Sequence, residues 1–271
     1  MKFYGWKNEL FAYKAALKYY RKLRYKEEER KKLEWLDKYG KKIKAFHNIH
    51  KGEDCFIIGN GPSLNKMNLE LLKEYYTFGL NKIFLIWEKV DLSLDYFVAV
   101  NPFVIDQSIE EIKNLIKCPA FIRYNVDKPL PEKNHIFPII TNYGFGFSDD
   151  LVKGINEGGT VTYAASQIAF YMGFKRVFLI GIDHNFNQSG KENEVQTMKE
   201  VDANHFHPNY FTGQKWNLAD LKSSEVAYQV AKRTYELNGR QMYDATIDGK
   251  LQIFEKISFE KALEIASKKV K

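Results

Sequence analysis

The chain has 271 residues, 45% hydrophobic and 15% aromatic, enough to bury a substantial core and too apolar for a disordered chain. No apolar run reaches the roughly 20 residues a spanning helix needs, and from Lys2 onward the N-terminus lacks the apolar stretch of a secretory signal. The formal charge of +7 is unevenly placed: residues 1–46 hold 15 Lys and Arg against 6 acids, a net +9, so the remaining 225 residues carry −2. A basic appendage on a slightly acidic body argues against nucleic acid as the partner.

From Phe3 to about Phe46 there is no proline, and Phe3, Trp6, Leu10, Tyr13, Leu17 and Tyr20 recur at steps of three and four, which predicts a helix with an aromatic stripe. Lys7, Lys14, Lys18, Arg21 and Lys22 lie beside or behind it. Two readings stay open. The helix packs on its own domain or a partner chain, or it lies at a membrane surface with its lysines drawn to anionic lipid.

After Gly52 short apolar runs alternate with helical stretches. Strands are predicted at 55–58, 77–80, 96–100, 120–124, 176–180 and 241–243. Helices are predicted at 67–75, 107–116, 160–171, 218–237 and 259–270. This alternation indicates an α/β fold with a mostly parallel sheet, and the continuous apolar character of the strands predicts helices on both faces. Residues 184–217 are rich in Asn, Gly, Gln, Lys and His without a sustained period, and read as a polar lid or binding loop. Cys55 and Cys118 are too few for a disulfide framework and too isolated for a zinc site, which fits a reducing cytoplasm.

The candidate chemistry collects at strand ends. Gly59-Asn60-Gly61-Pro62-Ser63-Leu64 follows a buried strand and leads into a predicted helix. Glycines there let backbone approach a ligand, and helix-start amides point at negative charge. The loop is neither a dinucleotide fingerprint nor a Walker loop, since no lysine follows. Asn81 and Asn101-Pro102 each end a strand on the same expected edge, where asparagine reads a base or ribose, or simply caps a turn. Gly158-Gly159-Thr160-Val161-Thr162 opens a small-residue helix, exposing amides and two hydroxyls. Asp183 closes another strand, where it could hold a ribose, a metal or a neighbouring loop. His184, His205 and His207 are three of the six histidines, and imidazole can serve as a general base near neutral pH. His-x-His with one aspartate is a weak metal signature, and no metal is expected.

In this order the motifs Gly-Asn-Gly-Pro-Ser-Leu, Asn81, Asn101-Pro102, the Thr/Gly-rich helix start, Met172-Gly173-Phe174-Lys175 and Gly181-Ile182-Asp183 resemble bacterial sialyltransferases of the Campylobacter type, glycosyltransferase family 42. They equally resemble the wider group sharing that domain, which includes Maf-like flagellin-modifying proteins, other DUF115-like proteins and pterin pyrophosphokinase-like proteins. The likeness spans roughly residues 54–245. It implies a Rossmann-like domain with a lid, a CMP-activated sugar donor as substrate with no further cofactor, and inversion at the anomeric carbon. Nucleotide-holding roles carry over to Asn60, Gly61, Ser63, Asn81, Asn101, Thr160 and Thr162. Gly59 and Asp183 are expected in the same site, and a lid histidine, His205 or His207, is the expected base. Where the sialyltransferases place phosphate-steadying tyrosines, this chain has His184-Asn185-Phe186.

The expected organisation is a basic amphipathic helical extension over residues 1–50 and a nucleotide-binding transferase domain over 51–271, its lid at about 184–217. The expected function is transfer of sialic acid or a related acidic sugar to a cell-surface glycan or glycolipid acceptor, in the cytoplasm or at the inner membrane face through residues 1–46. Homo-oligomerisation is left open. The alternatives are an ATP-dependent pterin pyrophosphokinase and a non-catalytic nucleotide-binding assembly protein.

Overall fold

The computed structural model describes residues 4–125 and 127–269, with side chains from Tyr13 onward. Phe3, the side chains of Trp6 and Leu10, and Val270 at the end of the predicted last helix lie outside the described residues. The chain divides into two compact units, Met1–Lys42 and Ile43–Lys271.

The first unit is one long helix, α1 (Tyr4–Trp35), continued by a π turn (Leu36–Gly40) into α2 (Lys41–Lys44) at its boundary. No proline interrupts α1, and Arg30 pairs with Glu27 (2.7 Å) and Glu34 at helical spacing. Tyr13, Leu17 and Tyr20 of the expected stripe are exposed, but so are Tyr19, Leu23 and Tyr25. The exposed apolar surface is therefore wider than the single stripe read from the spacing. Among the described residues no helix is long and apolar enough to cross a membrane.

The second unit runs β1 (Asp54–Ile58), β2 (Tyr76–Leu80), β3 (Tyr96–Ala99), α3 (Pro102–Leu115), β4 (Ala120–Arg123), β5 (Ile136–Ile139), β6 (Thr141–Asn142) and β7 (Ile155–Asn156). It continues through α4 (Val161–Met172), β8 (Arg176–Ile180), β9 (Val195–Thr197), β10 (Lys215–Asn217), α5 (Leu221–Leu237), β11 (Gln241–Asp244), β12 (Glu255–Lys256) and α6 (Phe259–Ile265). Eight strands form one sheet in the order β12-β11-β8-β1-β2-β3-β4-β5, every pair parallel. The expected Rossmann-like α/β fold is present. From β1 the chain steps one way through β2 to β5, and later returns on the other side through β8, β11 and β12. The order reverses between β1 and β8, whose last residues Ile58 and Ile180 are in register. Open parallel sheets hold ligands at such a switch point, beyond the strands' C-terminal ends.

Local signals explain most boundaries. Asn101 caps α3 by accepting the amides of Phe103 and Val104, with Pro102 in the first turn, so this helix starts earlier than residue 107. Thr160 caps α4, and Gly173 closes it in the left-handed conformation. Asp220 accepts the Ser223 amide, which sets the start of α5 at Leu221 instead of Leu218.

The predicted helix at 67–75 is not an α-helix. Two 3-10 turns, Pro62–Lys66 and Leu69–Glu74, are separated by extended backbone at Met67, and the Asn68 side chain takes the Glu70 amide. The last helix stops at Ile265 because Ala266 is extended. Strands β5 and β12 extend the sheet at both edges beyond the strands expected; Pro138 sits in β5, an edge position that tolerates it.

The sheet packs through aromatic side chains, with Phe56 stacked on Phe178 (5.1 Å) and Phe178 on Tyr243 (5.4 Å). At its N-terminal edge Asp54 is 1% exposed and receives Arg176 Nε (3.0 Å), Arg176 Nη2 (2.6 Å), and the amides of Arg176 and Ser267. The opposite, C-terminal edge carries the cleft.

Candidate functional site: a cleft at the C-terminal edge of the sheet

The C-terminal ends of β8, β1, β2, β3 and β4 open into one cleft of about 510 Å³. Gly59, Asn60, Gly61, Asn81, Asn101, Thr160, Thr162, Asp183 and His205 all line it, so the structure brings together most residues singled out from the sequence. Ser63 and His207 do not line it.

The glycine loop is shaped by its neighbour strand. A Cβ at Gly61 would stand 1.8 Å from Asp183 Oδ2, and one at Gly59 would stand 2.4 Å from the Gly181 carbonyl oxygen. Glycine is required here so that the loop can lie across the end of β8, a constraint independent of any ligand. Asp183 accepts both the Ser63 amide (3.0 Å) and the Ser63 hydroxyl (2.6 Å). Ser63 is 3% exposed and spends its groups on this contact, which corrects its expected place in the nucleotide site. Of the roles open to Asp183, the structure shows the loop-holding one. Burial, opposed by the bonds from Ser63, raises its carboxyl above the usual range.

Two orphaned acceptors lie in the same cleft. The carboxamide oxygens of Asn60 and Asn81 are buried without a hydrogen-bond partner. Buried polar groups in folded proteins are nearly always bonded, so two orphans lining one cleft mark places for ligand donors. Asn81 also takes φ 51, a left-handed conformation that asparagine tolerates better than most residues. Asn101 combines its cap role with a place on the cleft wall.

His205 is held by a carboxylate and an aromatic ring. Its Nδ1 lies 2.8 Å from Asp202 Oδ2, its ring stacks on Tyr210 at 4.0 Å, and its side chain is 11% exposed. Asp202 is fixed in turn, accepting the Asn204 amide at 2.9 Å and donating its own amide to Pro208. A carboxylate on Nδ1 holds the proton there and leaves Nε2 as the acceptor nitrogen. The loop is clipped to the glycine loop through the Phe206 amide on Asn60 O (2.8 Å) and Asn65 Nδ2 on Phe206 O (2.8 Å).

His207 points elsewhere. Its Nδ1 accepts the Asn209 amide (3.2 Å) and its Nε2 faces Glu88 (3.1 Å), so both nitrogens are committed away from the cleft. The sequence left the two histidines unresolved, and the structure removes His207 as a base.

The 184–217 region is less loose than its composition suggested. Phe206, Tyr210, Phe211 and Trp216 are buried, and β9 pairs with β10. Beneath the His205–Tyr210 stack lies Lys82, 3% exposed, its ammonium bonded to Tyr210 O (2.8 Å) and to Gln214 Oε1. Burial pushes Lys82 down from the ordinary lysine value to about 8. The folded state thus binds fewer protons than the unfolded chain between about pH 8 and 10.5, and stability rises with pH across that window. As pH falls through 8, that contribution is lost. Urea unfolding at pH 7.5 and 10 should show a rise of up to about 3 kcal/mol for the wild type relative to Lys82→Met. Parallel pH profiles would refute the assignment.

Several cleft residues went unread in the sequence. Arg123 pairs with Glu157 at 2.8 Å, and its Nη2 meets the Tyr143 hydroxyl at 3.2 Å. Its position at the end of β4, beside the ends carrying Asn81 and Asn101, was the signal that could have found it. Tyr228, buried on α5 with its hydroxyl 3.3 Å from Thr160 Oγ1, had no local signal. Among the described residues no group of three or more His, Cys, Asp or Glu side chains is arranged to hold a metal ion.

Comparison with solved structures finds the Maf glycosyltransferase from Magnetospirillum magneticum AMB-1, with a TM-score of 0.51 at 12% identity over 84% of this chain. This chain covers 38% of the length of that protein, and the likeness at this identity is one of fold. The sialyltransferase CstII from Campylobacter jejuni, solved in complex with a substrate analogue, cytidine-5'-monophosphate, gives a TM-score of 0.47 at 15% identity, covering 77% of this chain and 86% of its own. Comparison with curated proteins finds no match. The family model described as 6-hydroxymethylpterin diphosphokinase MptE-like matches residues 30–189, more than half of the sequence, and the chain therefore belongs to the MptE-like family.

Proposed function

We propose that the protein is a nucleotide-dependent transferase that moves an acidic sugar, sialic acid or a relative, from a CMP-activated donor to a hydroxyl of a glycan or glycolipid. The observation that carries this reading is His205, held by the buried Asp202, lining the same cleft as Asn60, Asn81, Asn101 and Thr160. In the reaction His205 Nε2 takes the proton of the acceptor hydroxyl as its oxygen bonds the anomeric carbon from the face opposite the nucleotide. The bond from that carbon to the phosphate oxygen breaks, and its electron pair leaves on CMP. Attack from the opposite face inverts the anomeric centre. The phosphate is a good leaving group, so no acid is required on that side.

A second reading follows from the family itself, whose description names a 6-hydroxymethylpterin diphosphokinase. There the same base would take the proton of a pterin hydroxymethyl group, and the oxygen would attack the β-phosphorus of ATP and release AMP. The absence of a lysine-bearing phosphate loop after Gly61 favours the first reading.

The purified protein should be incubated with CMP-sialic acid plus a glycan acceptor, and separately with magnesium ATP plus hydroxymethylpterin. Acceptor-dependent CMP release supports the sugar transferase. AMP release with pterin diphosphate formation supports the second reading and overturns the first.

A further inference from the structure

Residues 13–26 of α1 carry six basic side chains and no acid, together with four tyrosines. Beyond Lys26 the composition changes. Glu27, Glu28, Glu29 and Glu34 follow, and charges there are spent within the helix: Arg30 on Glu27 and Glu34, and Lys31 on Glu27. Arg24 reaches across the boundary to Glu28 at 3.3 Å. Among the described residues, Lys14, Lys18, Arg21, Lys22 and Lys26 pair with no acid.

The two kinds of side chain take different sides of the helix. At roughly 100° per residue, Tyr19, Leu23, Ala16, Tyr20, Tyr13 and Leu17 fall in that order within an arc of about 160°. Of the six basic residues only Arg24 lies inside that arc. The other five occupy the remaining surface with Tyr25. All of these side chains are exposed, Tyr20 at 68%. A tyrosine ring has an apolar body and a polar tip, which suits the boundary between lipid headgroups and acyl chains. Lysine and arginine stems can lie along that boundary while their charged ends reach lipid phosphates. A second copy of this segment alongside in register would instead set six positive charges against six more.

We infer that residues 13–26 dock the protein on an anionic bilayer, with the aromatic arc at the headgroup boundary and the basic side chains on the lipid phosphates. The helix lies on the surface, since no helix among the described residues is apolar enough to cross. The inference stands apart from the chemistry of the cleft, and its test needs no substrate.

The test is co-sedimentation of the full chain with vesicles of phosphatidylcholine alone, and of phosphatidylcholine and phosphatidylglycerol in equal parts. The protein should sediment with the mixed vesicles and not with phosphatidylcholine. Added salt should release it, because exposed charges are screened over about 8 Å at physiological ionic strength and less above it. Combining Lys14→Gln, Lys18→Gln, Arg21→Gln and Lys22→Gln should weaken partitioning by about a hundredfold or more. Combining Tyr13→Ala, Tyr19→Ala and Tyr20→Ala should weaken it by about tenfold and leave its salt dependence, a loss that purely electrostatic attraction does not predict. Both sets lie at exposed positions, and an unchanged circular dichroism spectrum is the folding control. Equal sedimentation with both vesicle types, none with the mixed vesicles, or binding that neither variant weakens would overturn the inference. Self-association that the variants abolish, without vesicle binding, would overturn it too and mark this face as a contact between copies.

Discussion

Replacing His205 by Ala should lower kcat by roughly 100- to 10,000-fold while nucleotide affinity stays within about twofold. The split follows from position. The imidazole lines the cleft but is held by Asp202 and stacked on Tyr210, so removing it deletes the proton acceptor and leaves Asn60 and Asn81 in place. Asp202→Asn should reduce kcat as well, because an amide can present its N–H to Nδ1 and turn the ring to the wrong tautomer. His207→Ala is the contrasting variant. With both of its nitrogens engaged by Asn209 and Glu88, it should cost about 1 kcal/mol of stability and leave kcat nearly unchanged. Steady-state kinetics on the three variants check this, and near-normal turnover by His205→Ala would show that the base lies elsewhere.

At the other edge of the sheet, Asp54→Ala should produce the largest loss of stability and little change in nucleotide binding. Asp54 accepts two guanidinium bonds and the Arg176 amide at the start of β8, and it ties the Ser267 amide beyond α6 to the same point. Removing the carboxylate strands a partly buried guanidinium and two amides. Breaking a buried pair in this way costs about 3 kcal/mol, at the lower end of the usual range because Arg176 is partly exposed. For a unit of this size that corresponds to a fall in Tm of about 6–12 °C. Calorimetry with and without nucleotide would separate the effects: the ligand-induced rise in Tm should be the same in both proteins. A normal Tm would refute the role given to Asp54.

These two edges differ in how far they could be read in advance. The strands β1, β2 and β3 stand out because each is a continuous apolar run covered on both faces. Strand β5 carries Pro138, and β12 is the two polar residues Glu255–Lys256, so neither leaves an apolar signature. The cleft was legible where a residue's place follows from its strand, as for Asn60, Asn81 and Asn101, each at or just beyond the end of an apolar run. It was illegible where the partner is remote in sequence. Ser63 is claimed by Asp183, 120 residues away, and His207 by Glu88, 119 residues away. Spacing cannot rank two histidines in His-x-His; stacking on Tyr210 and pairing with Asp202 can. The Met67–Tyr75 stretch shows the same limit on a local scale, since the Asn68 side chain competes for an amide that a periodic pattern assigns to a helix.

The proposed function requires one nucleotide along the C-terminal edge of the sheet, across the β1–β8 switch point. The most direct measurement is a crystal structure of the protein grown with CMP, and another with magnesium ATP. A nucleotide is expected bonded to the carboxamides of Asn60 and Asn81, with His205 Nε2 open to the space beside it. A nucleotide bound elsewhere on the surface, or a cleft that stays without either nucleotide at saturating concentration, would contradict it.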